Sequence, residues 1–266
     1  MRPAPDSTRA RSGPSPLDEE LIDIGELDDA RALVTGAAGR IGRAIAVALA
    51  EAGAHVLASD VDAAGLAATA GRLGDPHRTR VADLTSEDEI TALVTAAAGH
   101  LGGLTHVVNC AATTEPGGTI LESSTATLDR ALAVNTRAPY LVTRAALPHL
   151  LEGGHGVFVN IASIHGLVAG AGFAPYAVSK IGLIQLTRQV AVEYGRYGIR
   201  CNAVCPGATR SQGEPADEAD LQPFRAVVGR IADSGEIADA VVYLAGPRAS
   251  FVNGAILPVD GGYTAH

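Results

Sequence analysis

The chain has 266 residues, of which 47% are hydrophobic and 18% are charged, and its formal net charge is −9. This composition is typical of a globular protein with a substantial core, and the acidic balance argues against a nucleic-acid partner. No run of about 18 apolar residues is present and the first 20 residues lack an apolar stretch, so we expect neither a membrane span nor a secretory signal.

The N-terminal region differs in composition from the rest of the chain. Residues 1–27 are rich in proline, serine, arginine and acidic residues, which predicts a flexible arm with one short helical turn near Leu21–Ile24. From residue 28 onward, short apolar runs alternate with amphipathic stretches. In the first half of the chain the predicted strands are Ala32–Val34, His55–Ser59, Arg78–Val81 and Thr105–Asn109, and the predicted helices are Ile41–Ala52, Ala63–Leu73 and Ser86–Ala98.

The second half continues the same alternation. Its predicted strands are Val157–Ile161, Arg200–Val204 and Ala255–Pro258, and its predicted helices are Thr125–Leu151, Ala174–Tyr197 and Gly235–Leu244, with a polar insert at Ser211–Gln222. This order predicts an α/β fold: a Rossmann-like, doubly wound parallel sheet of about seven strands with helices on both faces. We expect one domain over residues 28–266, with its ligands at the carboxyl ends of the strands.

A glycine-rich loop follows the first predicted strand and opens the first helix, over residues 35–42. Backbone N–H groups at such a junction can approach a pyrophosphate, although tight turns also need glycine. Asp60 ends the second strand 18 residues after Gly42, where a carboxylate can accept hydrogen bonds from an adenosine ribose. The same carboxylate would repel a 2′-phosphate, which favours NAD over NADP, whereas Arg40 in the loop could reach such a phosphate. A helix-capping role for Asp60 remains the alternative.

Lys180 is the only lysine in a chain with 19 arginines, and it lies four residues after Tyr176. On a helix this spacing places both side chains on one face. A nearby cation favours the phenolate, so we expect Lys180 to lower the pKa of Tyr176 into the range useful for acid–base chemistry. Ser163 ends the fifth strand and faces the same crevice, unless it merely caps a turn. Asn135 is a polar amide in an apolar helix and therefore needs a buried partner.

Taken together, these motifs resemble the short-chain dehydrogenase/reductase family, in its single-domain subgroup. The resemblance covers about residues 28–264. It is carried by the following residues in this order: Gly36, Gly39 and Gly42; Asp83-Leu84-Thr85; Asn109-Cys110-Ala111-Ala112; Asn135; Ser163; Tyr176 with Lys180; Pro206-Gly207; and Val259-Asp260-Gly261-Gly262.

The resemblance implies specific roles for the four candidate catalytic residues. Tyr176 would exchange a proton with the substrate oxygen, and Ser163 would orient that oxygen. Lys180 would bind the nicotinamide ribose and lower the pKa of Tyr176, while Asn135 would hold a water that relays protons. The residues implied to contact the dinucleotide are Gly36, Gly39, Arg40, Ile41, Asp60, Asp83, Leu84, Asn109, Ala111, Tyr176, Lys180, Pro206, Gly207 and Thr209.

Two departures from the family pattern concern the cofactor. Arg40 stands where glycine is more common, and Ala112 places a methyl group near the dinucleotide. On the substrate side, the candidates are His165, Ser211 and Gln212, with a loop-capping role as the alternative for His165. The short polar insert predicts a hydroxylated or small cyclic ketone rather than a long acyl chain.

The sequence thus predicts a cytoplasmic, NAD(P)-dependent oxidoreductase that transfers a hydride between the nicotinamide and a secondary alcohol or ketone. The alternatives are an NADP-linked ketoreductase of a biosynthetic pathway and a non-catalytic dinucleotide-binding regulatory protein. Its three cysteines show neither a disulfide framework nor metal-ligand spacing, so we expect free thiols and no metal. The two longest helices are more apolar than sheet coverage requires, and by the resemblance we expect a homodimer or homotetramer.

Overall fold

The computed structural model describes residues 27–114, 118–210 and 226–265. Its centre is a seven-stranded parallel sheet with the strand order β3-β2-β1-β4-β5-β6-β9. The strands of this sheet are β1 (Arg31–Thr35), β2 (His55–Asp60), β3 (Arg78–Val81), β4 (His106–Asn109), β5 (Gly156–Ile161), β6 (Ile199–Pro206) and β9 (Ile256–Val259). A separate two-stranded ladder joins β7 (Thr209–Arg210) to β8 (Ala232–Asp233).

Seven α-helices of the described residues connect the strands. They are α1 (Arg40–Glu51), α2 (Ala63–Leu73), α3 (Glu87–Leu101), α4 (Thr125–Leu132), α5 (Ala138–Glu152), α6 (Ala174–Tyr194) and α7 (Ser234–Ala245). Most of their N-termini have a side-chain cap: Asp62 caps α2 and Ser86 caps α3 by accepting backbone N–H groups, and Asp233 forms a capping box with Glu236 at α7. None of the helices within the described ranges has the length and apolarity that a bilayer crossing demands.

The core lies on both faces of the sheet, because parallel strands covered on both sides bury both sets of side chains. Ala32 and Val34 of β1 pack with α1 and α7 on one face, whereas Leu33 packs with α3 and α5 on the other. The predicted α/β fold and its seven strands are therefore confirmed, and the predicted ends of these strands and helices lie within three residues of those observed.

Three predictions about secondary structure and domain limits need correction. The helix predicted over 125–151 contains a π-helical turn at Ala133–Arg137. In a regular α-helix the ring of Pro139 would collide with the carbonyl group of Asn135, four residues earlier, and the wider π-helical turn accommodates the ring. Helix α6 ends at Tyr194 rather than Tyr197, because a 3₁₀ turn follows it. Leu27, assigned to the arm, is buried and its N–H donates to Ala52 O.

The remaining parts of two predictions fall on residues that the structure does not describe. The turn near Leu21–Ile24 and the rest of the arm lie outside the described residues, as does the polar insert Ser211–Gln222. The three cysteines are all free, in agreement with the prediction.

Candidate active site

A cleft of about 600 Å³ opens at the carboxyl edge of the sheet. It lies over β1 and β4, where the strand order changes direction, and this is the position at which doubly wound sheets bind their ligands. The volume is in the range of about 300–1,000 Å³ that is usual for small-molecule sites. Its lining includes the ends of β2, β5 and β6, so side chains far apart in the sequence share one cavity.

The glycine loop forms one wall of the cleft, and its shape depends on missing side chains. Gly36 has a φ of +72°, and a Cβ there would lie 2.5 Å from the backbone nitrogen of Ala111. A Cβ at Gly42 would collide with the carbonyl oxygen of Gly36. Helix α1 starts at this loop, and its N-cap residue is Gly39, which has no side chain to cap the helix. The first N–H groups of α1 are therefore left without a cap from the N-cap residue, which fits the binding of a pyrophosphate.

Asp60 lies at the same end of the cleft, and its carboxylate is fixed by backbone donors. Asp60 Oδ2 accepts a hydrogen bond from Ala38 N at 2.9 Å, and Oδ1 accepts one from Asp62 N at 3.0 Å. Arg40 also lines the cleft and is exposed. The arrangement places one fixed carboxylate and one exposed guanidinium near the position predicted for the adenosine ribose.

The opposite end of the cleft holds Ser163, Tyr176 and Lys180. Ser163 follows β5 and caps a short 3₁₀ turn, because its Oγ accepts a hydrogen bond from His165 N at 3.1 Å. Because Ser163 Oγ is the acceptor in this bond, its hydroxyl hydrogen remains available to the nearby phenol oxygen of Tyr176. The turn-capping interpretation and the catalytic interpretation of Ser163 are therefore compatible.

Lys180 is only 1% exposed and lies between the sheet and the phenol of Tyr176. Its Nζ donates to the carbonyl oxygen of Ile161 at 2.7 Å and lies 5.6 Å from the centre of the Tyr176 ring. Helix α6 brings the two residues together because they are one turn apart. Burial lowers the pKa of Lys180 to about 8, since the ammonium loses its hydration.

The expected direction of the Tyr176 pKa shift is wrong in this structure. Burial raises the pKa of Tyr176 above its ordinary value, and the hydrogen bond from Ser163 opposes this shift only in part. The physical reason is that a buried phenolate loses hydration. Tyr176 is therefore a neutral phenol at physiological pH and is ready to donate a proton rather than to accept one.

Asn135 is completely buried in the π-helical turn and its side chain is fully engaged. Its Oδ1 accepts from Thr113 N at 2.8 Å, and its Nδ2 donates to Thr113 O and to Ser179 Oγ, both at 2.9 Å. The prediction that this amide needs a buried partner is confirmed. The side chain ties the segment after β4 to helix α6, next to Lys180, and it does not itself line the cleft.

Asn109 is the predicted cofactor residue that the structure does not bring to the cleft. It lies on the face of β4 shared with Val107, so its amide points into the core and donates to Asn160 Oδ1 at 2.8 Å. Asn160 in turn donates to Thr187 Oγ1 at 2.8 Å. Asn109 therefore holds the centre of the sheet, and the residues after it reach the dinucleotide site.

His165, a predicted substrate residue, is buried beside the phenol of Tyr176 rather than along the main cleft. Its ring stacks on Phe173 with 4.4 Å between ring centres and meets the Tyr176 ring edge-on at 6.4 Å. Burial lowers the pKa of His165, which keeps the imidazole neutral at physiological pH. The other two predicted substrate residues, Ser211 and Gln212, lie outside the described residues.

Most of the predicted site residues do converge. Those that line the cleft are Gly36, Gly39, Arg40, Ile41, Asp60, Asp83, Leu84, Ala111, Ser163, Tyr176, Lys180, Pro206, Gly207 and Thr209. Thr114 and Val134 also line the cleft, and Thr35 Oγ1 accepts a hydrogen bond from Cys110 N at 3.1 Å; none of these three residues was predicted from the sequence. A hydroxyl at a strand end directly before the glycine loop was the available signal for Thr35, whereas nothing in the pattern marked the other two.

Comparison with known proteins agrees with this geometry. Residues 36–264 match a family model described as enoyl-(acyl carrier protein) reductase. The chain is 42% identical over 240 residues to cis-4-hydroxycyclohexanecarboxylate dehydrogenase of Sinomonas cyclohexanicum, and the aligned region covers 88% of this chain and 96% of that protein. It is 39% identical over 245 residues to 2-(R)-hydroxypropyl-CoM dehydrogenase of Xanthobacter autotrophicus, with coverage of 88% and 98%. The crystal structure of levodione reductase superposes with a TM-score of 0.82 at 33% identity, covering 89% of this chain and 98% of that one.

Proposed function

Because the chain belongs to the short-chain dehydrogenase/reductase family, we propose that it is an NAD-dependent dehydrogenase of a secondary alcohol, or the corresponding ketone reductase. The observation that carries this proposal is the meeting of the Ser163–Tyr176–Lys180 group and the glycine loop in one cleft. A regulatory protein that only binds a dinucleotide would not require a buried ammonium beside a partly buried phenol, since the ammonium is costly to desolvate.

In the direction of reduction, the substrate carbonyl oxygen lies between Ser163 and Tyr176. Ser163 orients this oxygen, and the neutral phenol of Tyr176 gives up its proton as the carbonyl carbon is reduced. A bound nicotinamide dinucleotide supplies the hydride for that carbon. The Lys180 ammonium faces the phenolate that forms and stabilises it, because the charge of Lys180 is fixed in place before the reaction.

The site and the relatives both support a proposal for the substrate class. The name of one relative specifies a hydroxylated cyclohexane ring, and the aromatic surfaces of His165 and Phe173 beside Tyr176 suit a compact ring. We therefore expect higher kcat/KM for cyclic ketones than for sugar-derived or thioester ketones, followed by absorbance of the reduced nicotinamide. A clear preference for the thioester would reject this substrate class, and turnover of none of the three would argue for the non-catalytic alternative.

The choice between NAD and NADP depends on Asp60 and Arg40, and we propose NAD. The Asp60 carboxylate is held by two backbone N–H groups and repels a 2′-phosphate, whereas the exposed Arg40 is free to turn to solvent. An NADP-linked ketoreductase is the alternative, and it requires Arg40 to outweigh Asp60.

Asp60→Asn is expected to lower the ratio of kcat/KM for NAD to that for NADP by about tenfold, because it removes one repulsive charge while keeping an oxygen acceptor. The measurement is steady-state kinetics with both dinucleotides. Asp62→Asn is the matched control: Asp62 also lines the cleft and caps α2, and asparagine retains the cap. An unchanged ratio for Asp60→Asn, or an equal fall for Asp62→Asn, would contradict the assignment.

We also propose that the protein is a homodimer or homotetramer. Helices α5 and α6 expose large apolar side chains at Tyr140, Val178, Ile181 and Val192, the last of these 82% exposed. Such a surface is unusual for a monomer and matches an interface between copies. Equilibrium sedimentation should give two or four times the 27.0 kDa of one chain. Val192→Asp should reduce this mass, whereas Val81→Asp on the edge strand β3 should not; a wild-type mass near 27.0 kDa would overturn the proposal.

A further inference from the structure

The wall of the cleft beyond β6 is a segment that leaves the sheet. After Pro206, residues Gly207 and Thr209 line the cleft on the side of Tyr176. Among the described residues, two backbone hydrogen bonds hold this segment: Gly207 N donates to Val259 O at 3.0 Å, and Ala232 N donates to Ala208 O at 3.0 Å. A two-residue ladder between β7 and β8 has little stability of its own. Side-chain contacts therefore add to what holds this wall in place.

An ion pair between Arg210 and Asp233 closes this ladder. Arg210 Nε lies 2.7 Å from Asp233 Oδ1, and the two side chains are only 28% and 34% exposed. Asp233 is itself immobilised, because its carboxylate also caps α7 through the capping box with Glu236. The pair therefore connects the residue next to Thr209 to the N-terminus of a helix packed in the core.

A second ion pair at the same helix end provides a natural contrast. Arg230 donates to both carboxylate oxygens of Glu236 at 2.7 Å, and this bidentate pair lowers the pKa of Glu236 to about 2. Its side chains are 54% and 41% exposed. It is bidentate, unlike the single contact of Arg210 with Asp233, but it makes no direct bond to β7, so it should contribute little to the shape of the cleft.

We propose that Arg210 is a positioning residue for the nicotinamide half of the cofactor. The inference rests on the proposed function. Because the hydride would have to reach a carbon whose oxygen is held at Ser163 and Tyr176, Gly207 and Thr209 would line the nicotinamide half of a bound dinucleotide, and Asp60 would lie at the adenosine half. Holding β7 against β8 keeps that wall in place, and the effect passes through the backbone of Thr209 without contact between Arg210 and the ligand.

The test compares two ligands that share one half. Binding of NADH and of ADP-ribose, which lacks the nicotinamide, is measured by fluorescence and calorimetric titration on the full chain. Arg210→Met should raise the Kd for NADH about fivefold and change the Kd for ADP-ribose less than twofold. Arg210→Lys should recover part of the loss, and Arg230→Met, the matched control, should leave both constants unchanged.

Asp233→Asn serves as an independent variant, because asparagine retains the helix cap while the charge of the pair is lost. In a double-mutant cycle it should add little to Arg210→Met. Equal weakening of both ligands, the same loss in Arg230→Met, or no change in either variant at Arg210 and Asp233 would overturn the inference while leaving the proposed function intact. Failure of the wild-type chain to bind either ligand would instead reject the proposed function, and the inference with it.

Discussion

Replacing Tyr176 by phenylalanine should lower kcat by about 10³-fold, which is within the range for loss of a positioned acid or base. The change removes only the hydroxyl beside Ser163, and the ring that packs against His165 and Phe173 is retained. The Kd for NADH should therefore stay within about twofold of the wild-type value. Steady-state kinetics together with fluorescence titration measure the two quantities separately.

The control for this variant is Tyr243→Phe, which removes the hydroxyl of an exposed tyrosine on α7, away from the cleft and the proposed interface, and should leave kcat unchanged. The raised pKa of Tyr176 adds a second readout. Ketone reduction needs the protonated phenol and should be insensitive to pH through neutrality, whereas alcohol oxidation needs the phenolate and should accelerate as the pH rises. Substantial turnover in Tyr176→Phe, or a pH profile that is identical in the two directions, would rule out Tyr176 as the proton donor.

Lys180→Met is expected to lower enzymatic activity without lowering the stability of the fold. Activity should fall by about 100-fold, because the fixed charge that stabilises the phenolate is lost. The free energy of unfolding should be unchanged or higher, since a side chain of similar length replaces an ammonium that is only 1% exposed and costly to bury. Urea unfolding and steady-state kinetics on the same preparation give both values. A large loss of stability with little loss of activity would show that Lys180 has a structural role only.

The pH dependence of stability provides a further readout at this residue. The pKa of Lys180 is about 8 in the folded protein and 10.5 in the reference state, so the unfolded chain binds more protons between these values. Stability of the wild type therefore rises with pH across this window, and below about pH 8 the full cost of the buried charge is present. Comparison with Lys180→Met from pH 7.5 to 10.5 isolates this contribution, which should be absent in the variant.

Local features of the chain could be predicted because they depend on near neighbours. The alternation of strands and helices identified the doubly wound sheet, and the i, i+4 spacing of Tyr176 and Lys180 placed them on one helix face. The glycine loop and Asp60 were recognisable because a strand, a tight turn and a helix follow one another within about thirty residues. Even the interruption near Asn135 had a local cause in Pro139, although it was not foreseen.

Features that depend on burial and on distant partners were decided by the tertiary structure. The side chain of Asn109 points into the core because Asn160 and Thr143 lie on that face of the sheet. The pKa of Tyr176 rises because packing removes water from the phenol, and no count of neighbouring charges in the sequence contains that information.

The sequence by itself determined the fold class, and it identified the glycine loop and the residues that we propose for proton transfer. The tertiary structure decided which of those residues face the cleft and in which direction the pKa values of Tyr176 and Lys180 shift. It also brought Arg210 to Asp233, 23 positions away in the chain. The division has a physical reason: backbone geometry and side-chain periodicity are set over a few residues, whereas desolvation and ion pairing arise only after remote segments pack together.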